Sequence, residues 1–214
     1  MTPVFIFDYG NVLSVVDTGI FGRKVLRYAG CSFEELRERH GRTRELVIAY
    51  ESGSMDTDAF IPAFMEKLGL RMSREEFIAA WSDFFIPIPY TRTLVRAVKP
   101  YCTVALLSNT NPLHYEHVIR PTDVFPLFDA VTLSYEAGAM KPAPVIYHDM
   151  LEKLKVRTGD CLFIDDLREN VEAARAVGMQ ALLFTTPEEF HEKLLALPLD
   201  PVLNRALKDI RTHT

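Results

Sequence analysis

Cysteine is scarce: three in 214 residues. Cys31, Cys102 and Cys161 have no spacing suited to a metal or a redox pair, which excludes a zinc centre and a disulfide framework. Cys102 and Cys161 sit beside or within apolar runs and read as small buried hydrophobes. Long apolar runs are missing too. None approaches the roughly 18 residues that a membrane span requires. No Lys/Arg run exceeds two residues and the formal net charge is −5, so nothing resembles a nucleic-acid footprint. The patterns GxxxxGKS/T, GxGxxG and GxSxG do not occur, which leaves nucleotide cradles, dinucleotide sites and α/β serine hydrolases unsupported. Residues 1 to 8 carry no basic n-region and begin a strand, so no targeting segment is expected there. An odd cysteine count without a signal peptide points to a reducing cytoplasm.

What is present is apolar residue enough for a substantial core, 48% of the chain. The stretch from 4 to 13, VFIFDYGNVL, organises the rest. Its uninterrupted Val, Phe and Ile read as a strand buried on both faces. Asp8 then falls at the carboxyl end of that strand, where open α/β sheets place their chemistry.

After residue 13 strand character is lost. Residues 14 to 19 read as a linker or short flap, and 21 to 85 show only helical periods. Ser32 and Ser73 stand three residues before Glu35 and Glu76, as in capping boxes, and Asp56 suits a third cap. From residue 90 the rhythm changes to apolar strands at 103–107, 130–133, 161–164 and 181–184, alternating with amphipathic helices. This alternation predicts an α/β fold: a Rossmann-like parallel sheet covered by helices on both faces. The expected division is a core of residues 1–15 and 90–214, with an all-helical cap of residues 16–89 inserted after the first strand. The last 15 residues are polar and weakly periodic and are expected to be peripheral.

Three further strand ends carry polar residues. The strand at 103–107 runs into Ser108-Asn109-Thr110-Asn111. A hydroxyl, an amide and N–H groups turning into a helix make a phosphate grip, although Asn111-Pro112 also suits an ordinary cap. Lys141, just before Pro142, could neutralise a phosphate as a point charge or lie on the surface. The strand at 161–164 runs into Asp165-Asp166, with Asn170 four residues beyond. Adjacent carboxylates there either start a helix at its positive end or hold a hard cation, Mg²⁺ above all. His114 and His117 share a helical face, either as metal ligands or as partly exposed helix residues.

These four blocks, FDYGNVL, LLSNT, Lys141-Pro142 and FIDDLREN, resemble in order the motifs of the haloacid dehalogenase-like hydrolase superfamily. FDYGNVL with SNTNPLH is most similar to its branch holding bacterial α-D-glucose-1-phosphate phosphatase and, more distantly, the amino-terminal phosphatase domain of soluble epoxide hydrolase. The resemblance implies an Asp8 nucleophile that forms an aspartyl-phosphate, with Asp8, the Gly10 carbonyl and Asp166 holding Mg²⁺. It implies that Asp165 and Asn170 support the metal loop, that Ser108 and the Asn109 N–H bind the phosphoryl group, and that Lys141 offsets its charge. The implied substrate is a small phosphorylated metabolite, a sugar phosphate with a good leaving group, acted on by a monomer or homodimer. One position departs from the usual phosphatase pattern. A second aspartate, the general acid and base, is replaced by Gly10, and losing such a donor costs on the order of 10²–10⁴ in rate. Haloacid dehalogenases carry tyrosine there and need no metal, so Asp165-Asp166 favours phosphate chemistry. The alternatives are a dehalogenase, a phosphotransferase or mutase, and a weakly catalytic binding protein.

Overall fold

The computed structural model describes residues 4–210. Five parallel strands form the main sheet: β1 Val4–Phe7, β4 Thr103–Ser108, β5 Ala130–Leu133, β6 Cys161–Asp165 and β7 Gln180–Leu183. Their order is β5-β4-β1-β6-β7. The chain therefore winds in opposite directions on the two sides of β1, which opens a crevice at the carboxyl end of that strand. Phe7 pairs with Leu106 on one side and Ile164 on the other.

The apolar run of β1 is explained by its two covered faces. Phe5 and Phe7 meet α6 Pro89–Val98, α11 Pro187–Leu195 and α12 Pro201–Lys208 through residues such as Leu94, Val98, Phe190 and Leu194. Val4 and Ile6 point the other way, onto Ile146 and Met150 of α9 Pro144–Leu154 and Val171 of α10 Arg168–Ala176. Period-two alternation thus feeds two cores from one strand. The expectation of a peripheral tail is corrected here. Leu203 and Leu207, four residues apart on α12, are buried against the Phe5 face. Two leucines at helical spacing are enough to dock a polar-looking helix. Residues 211–214 lie outside the described residues.

Between β1 and α6 lie five helices: α1 Thr18–Ala29, α2 Phe33–Gly41, α3 Arg44–Glu51, α4 Thr57–Leu68 and α5 Arg74–Trp81. Phe21, Phe60, Phe64, Phe77 and Trp81 give them a core of their own. Ser73 and Glu76 make the full reciprocal cap. Ser32 accepts the Glu35 N–H, but the Glu35 carboxylate turns to Arg39 instead. The segment is not wholly helical. Where a linker or short flap was expected, β2 Ser14–Val16 pairs antiparallel with β3 Phe85–Pro87 in a two-stranded ribbon. Strands of three residues are too short to show a period. No helix among the described residues is long and apolar enough to cross a membrane.

Candidate active site

The site forms at the crevice over β1. Asp8 continues the sheet by donating its N–H to the Ile164 carbonyl (2.9 Å), which sets it level with Asp165 at the end of β6. Ser108 ends β4 one residue beyond that level. Lys141 comes from the connection between α8 Ser134–Ala137 and α9, and the Lys141–Pro142 peptide is cis. Its Nζ donates to Asp8 Oδ1 and to Asp165 Oδ2, both at 2.7 Å, and its side chain is 1% exposed. The three carboxylates of Asp8, Asp165 and Asp166 offer oxygens that all lie within 4.8 Å of one another, so Lys141 serves a site with a surplus of negative charge.

That surplus shapes the protonation of the site. Burial pushes the Asp8 carboxyl up to about 7, Lys141 pulls it down, and Asp165 adds to the rise. Burial also raises Asp166, with Asp165 contributing and the Asn11 amide opposing. Burial alone would lower Lys141, but Asp8 and Asp165 outweigh it and keep the ammonium charged.

The two adjacent aspartates are not equivalent. Asp165 is fully buried and accepts from Lys141, from the Leu167 N–H (2.8 Å) and from Asn170 Nδ2 at both oxygens (3.0 and 3.1 Å). Asp166 is half-buried and accepts from Asn11 Nδ2 at 3.2 Å. Asn170 is itself held by the Tyr147 hydroxyl, which donates to its carbonyl at 2.9 Å. Ser108 is buried, and its Oγ makes a long 3.4 Å contact to the Asn109 carbonyl. The Asn109 side chain turns to the Lys141 backbone, accepting its N–H at 2.8 Å and donating to its carbonyl at 3.0 Å. Gly10 lies in the turn after β1, and a Cβ built on it would meet only Val16 Cγ2, at 3.4 Å.

Asn11 is a residue that sequence reasoning passed over. It adopts φ 53°, a conformation asparagine tolerates better than most residues, and it accepts the Val16 N–H at 3.1 Å while donating to Asp166. One amide thus joins the ribbon to the acidic loop. His114 is neither a ligand nor exposed. It is buried on the Trp81 ring, its Nε2 donates to the Trp81 carbonyl (3.0 Å), and its Nδ1 accepts from Asn111 (2.9 Å). Leu113 and Tyr115 flank it in sequence, but the ring it stacks on, Trp81 of α5, lies 33 residues away and leaves no local trace.

The arrangement holds a carboxylate, a fixed ammonium, a hydroxyl with adjacent N–H groups, and a second, half-buried carboxylate that accepts from a single side chain. The chain is similar to proteins named as phosphatases. A D-ribitol-5-phosphate phosphatase of Bacteroides thetaiotaomicron is 24% identical over 204 residues, which is 92% of this chain and 98% of that protein. A phosphatase of Mycobacterium tuberculosis is 29% identical over 191 residues, 83% and 85% of the two chains. A solved haloacid dehalogenase family enzyme from B. thetaiotaomicron, in complex with magnesium and inorganic phosphate, superposes with a TM-score of 0.76 at 24% identity, over 86% of this chain and 95% of its own. The model of the haloacid dehalogenase-like hydrolase family matches residues 4–178, a span that includes all four polar strand ends, and the chain belongs to that family.

Proposed function

We propose that the protein is a magnesium-dependent phosphatase of a small phosphorylated metabolite, a sugar phosphate with a good leaving group. One observation carries the reading: three carboxylates and a buried lysine converge where β1 and β6 end. Hard oxygen donors around unneutralised charge suit Mg²⁺. Asp8, Asp166 and the Gly10 carbonyl would hold it, since the oxygens of Asp165 are already engaged by Lys141, Leu167 and Asn170. When bound, Mg²⁺ supplies charge stabilisation for the transferring phosphoryl group.

In this reading an Asp8 oxygen attacks phosphorus, the P–O bond to the leaving group breaks, and an aspartyl-phosphate forms. Ser108 and the Asn109 N–H bind the phosphoryl oxygens, and Lys141 offsets their charge. Water then cleaves the acyl phosphate and releases inorganic phosphate. Gly10 offers no proton donor for the departing oxygen, which favours leaving groups that are stable unprotonated. The names of the two curated relatives, one of them a polyol-phosphate phosphatase, support the class of reaction.

The test is phosphate release with Mg²⁺ from glucose 1-phosphate and glucose 6-phosphate. The 1-phosphate is expected to have the higher kcat/KM, and D8N to abolish turnover. A Cβ at Gly10 would make only an ordinary contact with the Val16 side chain, which should let G10D house a carboxylate and narrow the gap between the two substrates. Equal turnover of the 6-phosphate by wild type would overturn the account of Gly10. No release from these or a wider panel of phosphate esters would overturn the phosphatase reading.

A further inference from the structure

We infer that the Asn109 side chain is a positioning residue that acts through Lys141, while only its backbone faces the phosphoryl group. The inference rests on the phosphatase reading above. A lysine ammonium sits on a flexible four-carbon stem, and freezing it costs rotamer entropy. Holding its Nζ at 2.7 Å from two separate carboxylates therefore requires a fixed point of departure. Lys141 lies on a connection between two helices, where no sheet ladder fixes its backbone. The Asn109 carboxamide supplies what the ladder does not. Oδ1 accepts the Lys141 N–H and Nδ2 donates to the Lys141 carbonyl, so one planar group holds both polar atoms of the residue.

The chemistry of this contact is selective. A carboxamide carries an acceptor and a donor side by side. The reverse orientation would set N–H against NH₂ and oxygen against oxygen, so only one flip satisfies both bonds. Aspartate at 109 would keep the acceptor and lose the donor, and serine is too short to reach both atoms. Asn109 also follows Ser108 directly at the end of β4. It therefore ties the strand that grips the phosphoryl group to the loop that delivers its counter-charge. The two binding elements, 32 residues apart in sequence, are set in register by one side chain.

The test is a double-mutant cycle read by binding rather than turnover. Calorimetry would measure the affinity of the Mg²⁺-loaded protein for orthovanadate in wild type, N109A, K141A and the double variant. Small displacements of a reacting group cost up to about 10²-fold, so N109A is expected to weaken binding by about 10- to 100-fold. In the K141A background the same substitution is expected to change affinity by less than about twofold, because neighbours that act as a unit are non-additive. An equal loss in both backgrounds would mean that the amide grips the anion itself, and would overturn the inference. So would wild-type affinity in N109A. K141A with wild-type affinity is a different failure: it would remove Lys141 from the phosphatase reading. Should N109A not fold, N109D preserves size and acceptor but sets an oxygen against the Lys141 carbonyl. A crystal structure of N109D should show Lys141 Nζ displaced from Asp8 and Asp165, and an unmoved ammonium would overturn the inference equally.

Discussion

Asp165 and Asp166 are the same residue type side by side, yet the fold assigns them opposite surroundings. Every oxygen of Asp165 is engaged by Lys141, Leu167 and Asn170, whereas half-buried Asp166 accepts from one side chain, the amide of Asn11. D166N should weaken Mg²⁺ binding more than tenfold, whereas D165N should leave Mg²⁺ affinity closer to wild type. D165N should instead cost about 2 kcal/mol of stability, because hydrogen bonds to a buried charged group are lost. Calorimetric Mg²⁺ titration and urea unfolding of both variants separate the two effects, and unchanged Mg²⁺ affinity in D166N would remove Asp166 from the metal site. At this scale much was legible. Asp8, Ser108 and Asp165-Asp166 each end an apolar run, and the run itself announces a strand end; Lys141 follows no such run and was singled out by the Pro142 beside it. What a linear reading cannot supply is direction. Asn109 was expected to bind phosphate through its N–H, and its side chain turns to Lys141, a partner 32 residues away that no linear reading indicates.

Among the elements, the four later strands were read within a residue or two, because three or four apolar residues in a stretch of four to six leave a clear trace. The ribbon of β2 and β3 and the docked α12 left none, since their order comes from pairing and packing partners elsewhere. The junction of α3 and α5 with the strand ends is equally hidden. There the Tyr50 hydroxyl accepts the Leu113 N–H at 3.3 Å, Ser134 Oγ donates to the Glu51 carbonyl, and His114 donates to the Trp81 carbonyl. This junction should make stability depend on pH. Burial pushes the Glu51 carboxyl from 4.5 up to about 7, with the Asn111 amide opposing. The folded state then binds the extra proton between those values, so this stabilisation is complete below pH 4.5 and lost as pH rises through 7. His114 has the opposite sign. Burial holds its imidazole down at about 3, so its contribution is complete above pH 6.5 and lost as pH falls toward 3. E51Q should therefore match wild type at pH 5 and exceed it at pH 8 by on the order of 2 kcal/mol. Urea unfolding at the two pH values is the measurement, and a gap that does not grow with pH would show that Glu51 ionises freely in the folded protein.

For the molecule as a whole, the helical segment and the sheet meet at the carboxyl end of β4 and β5, on the side where Asp8 emerges. The contact is close backbone packing as well as hydrogen bonding. Gly53 follows α3 with φ 75°, and a Cβ placed on it would overlap the carbonyl oxygen of Tyr135 in α8. That approach links two regions 82 residues apart in sequence and is set by the absence of one methyl group. If the helical segment must sit against the strand ends to complete the site, displacing it there should reach the chemistry. G53A is expected to lose stability twice over. Alanine at positive φ costs about 1–2 kcal/mol, and the clash adds about 1–3 kcal/mol by forcing the two regions apart. Gly30 provides the control, because it has φ 59° with no atom within 4 Å of its built Cβ. G30A should show the conformational cost alone and keep its kcat/KM on an aryl phosphate. G53A should unfold at lower urea than G30A and lose activity by at least tenfold under conditions where both remain folded. Small-angle scattering would register the segment moving outward in G53A only. Equal stability and equal activity in the two variants would mean that the helices tolerate displacement at this contact and that their seating on the sheet does not govern the site.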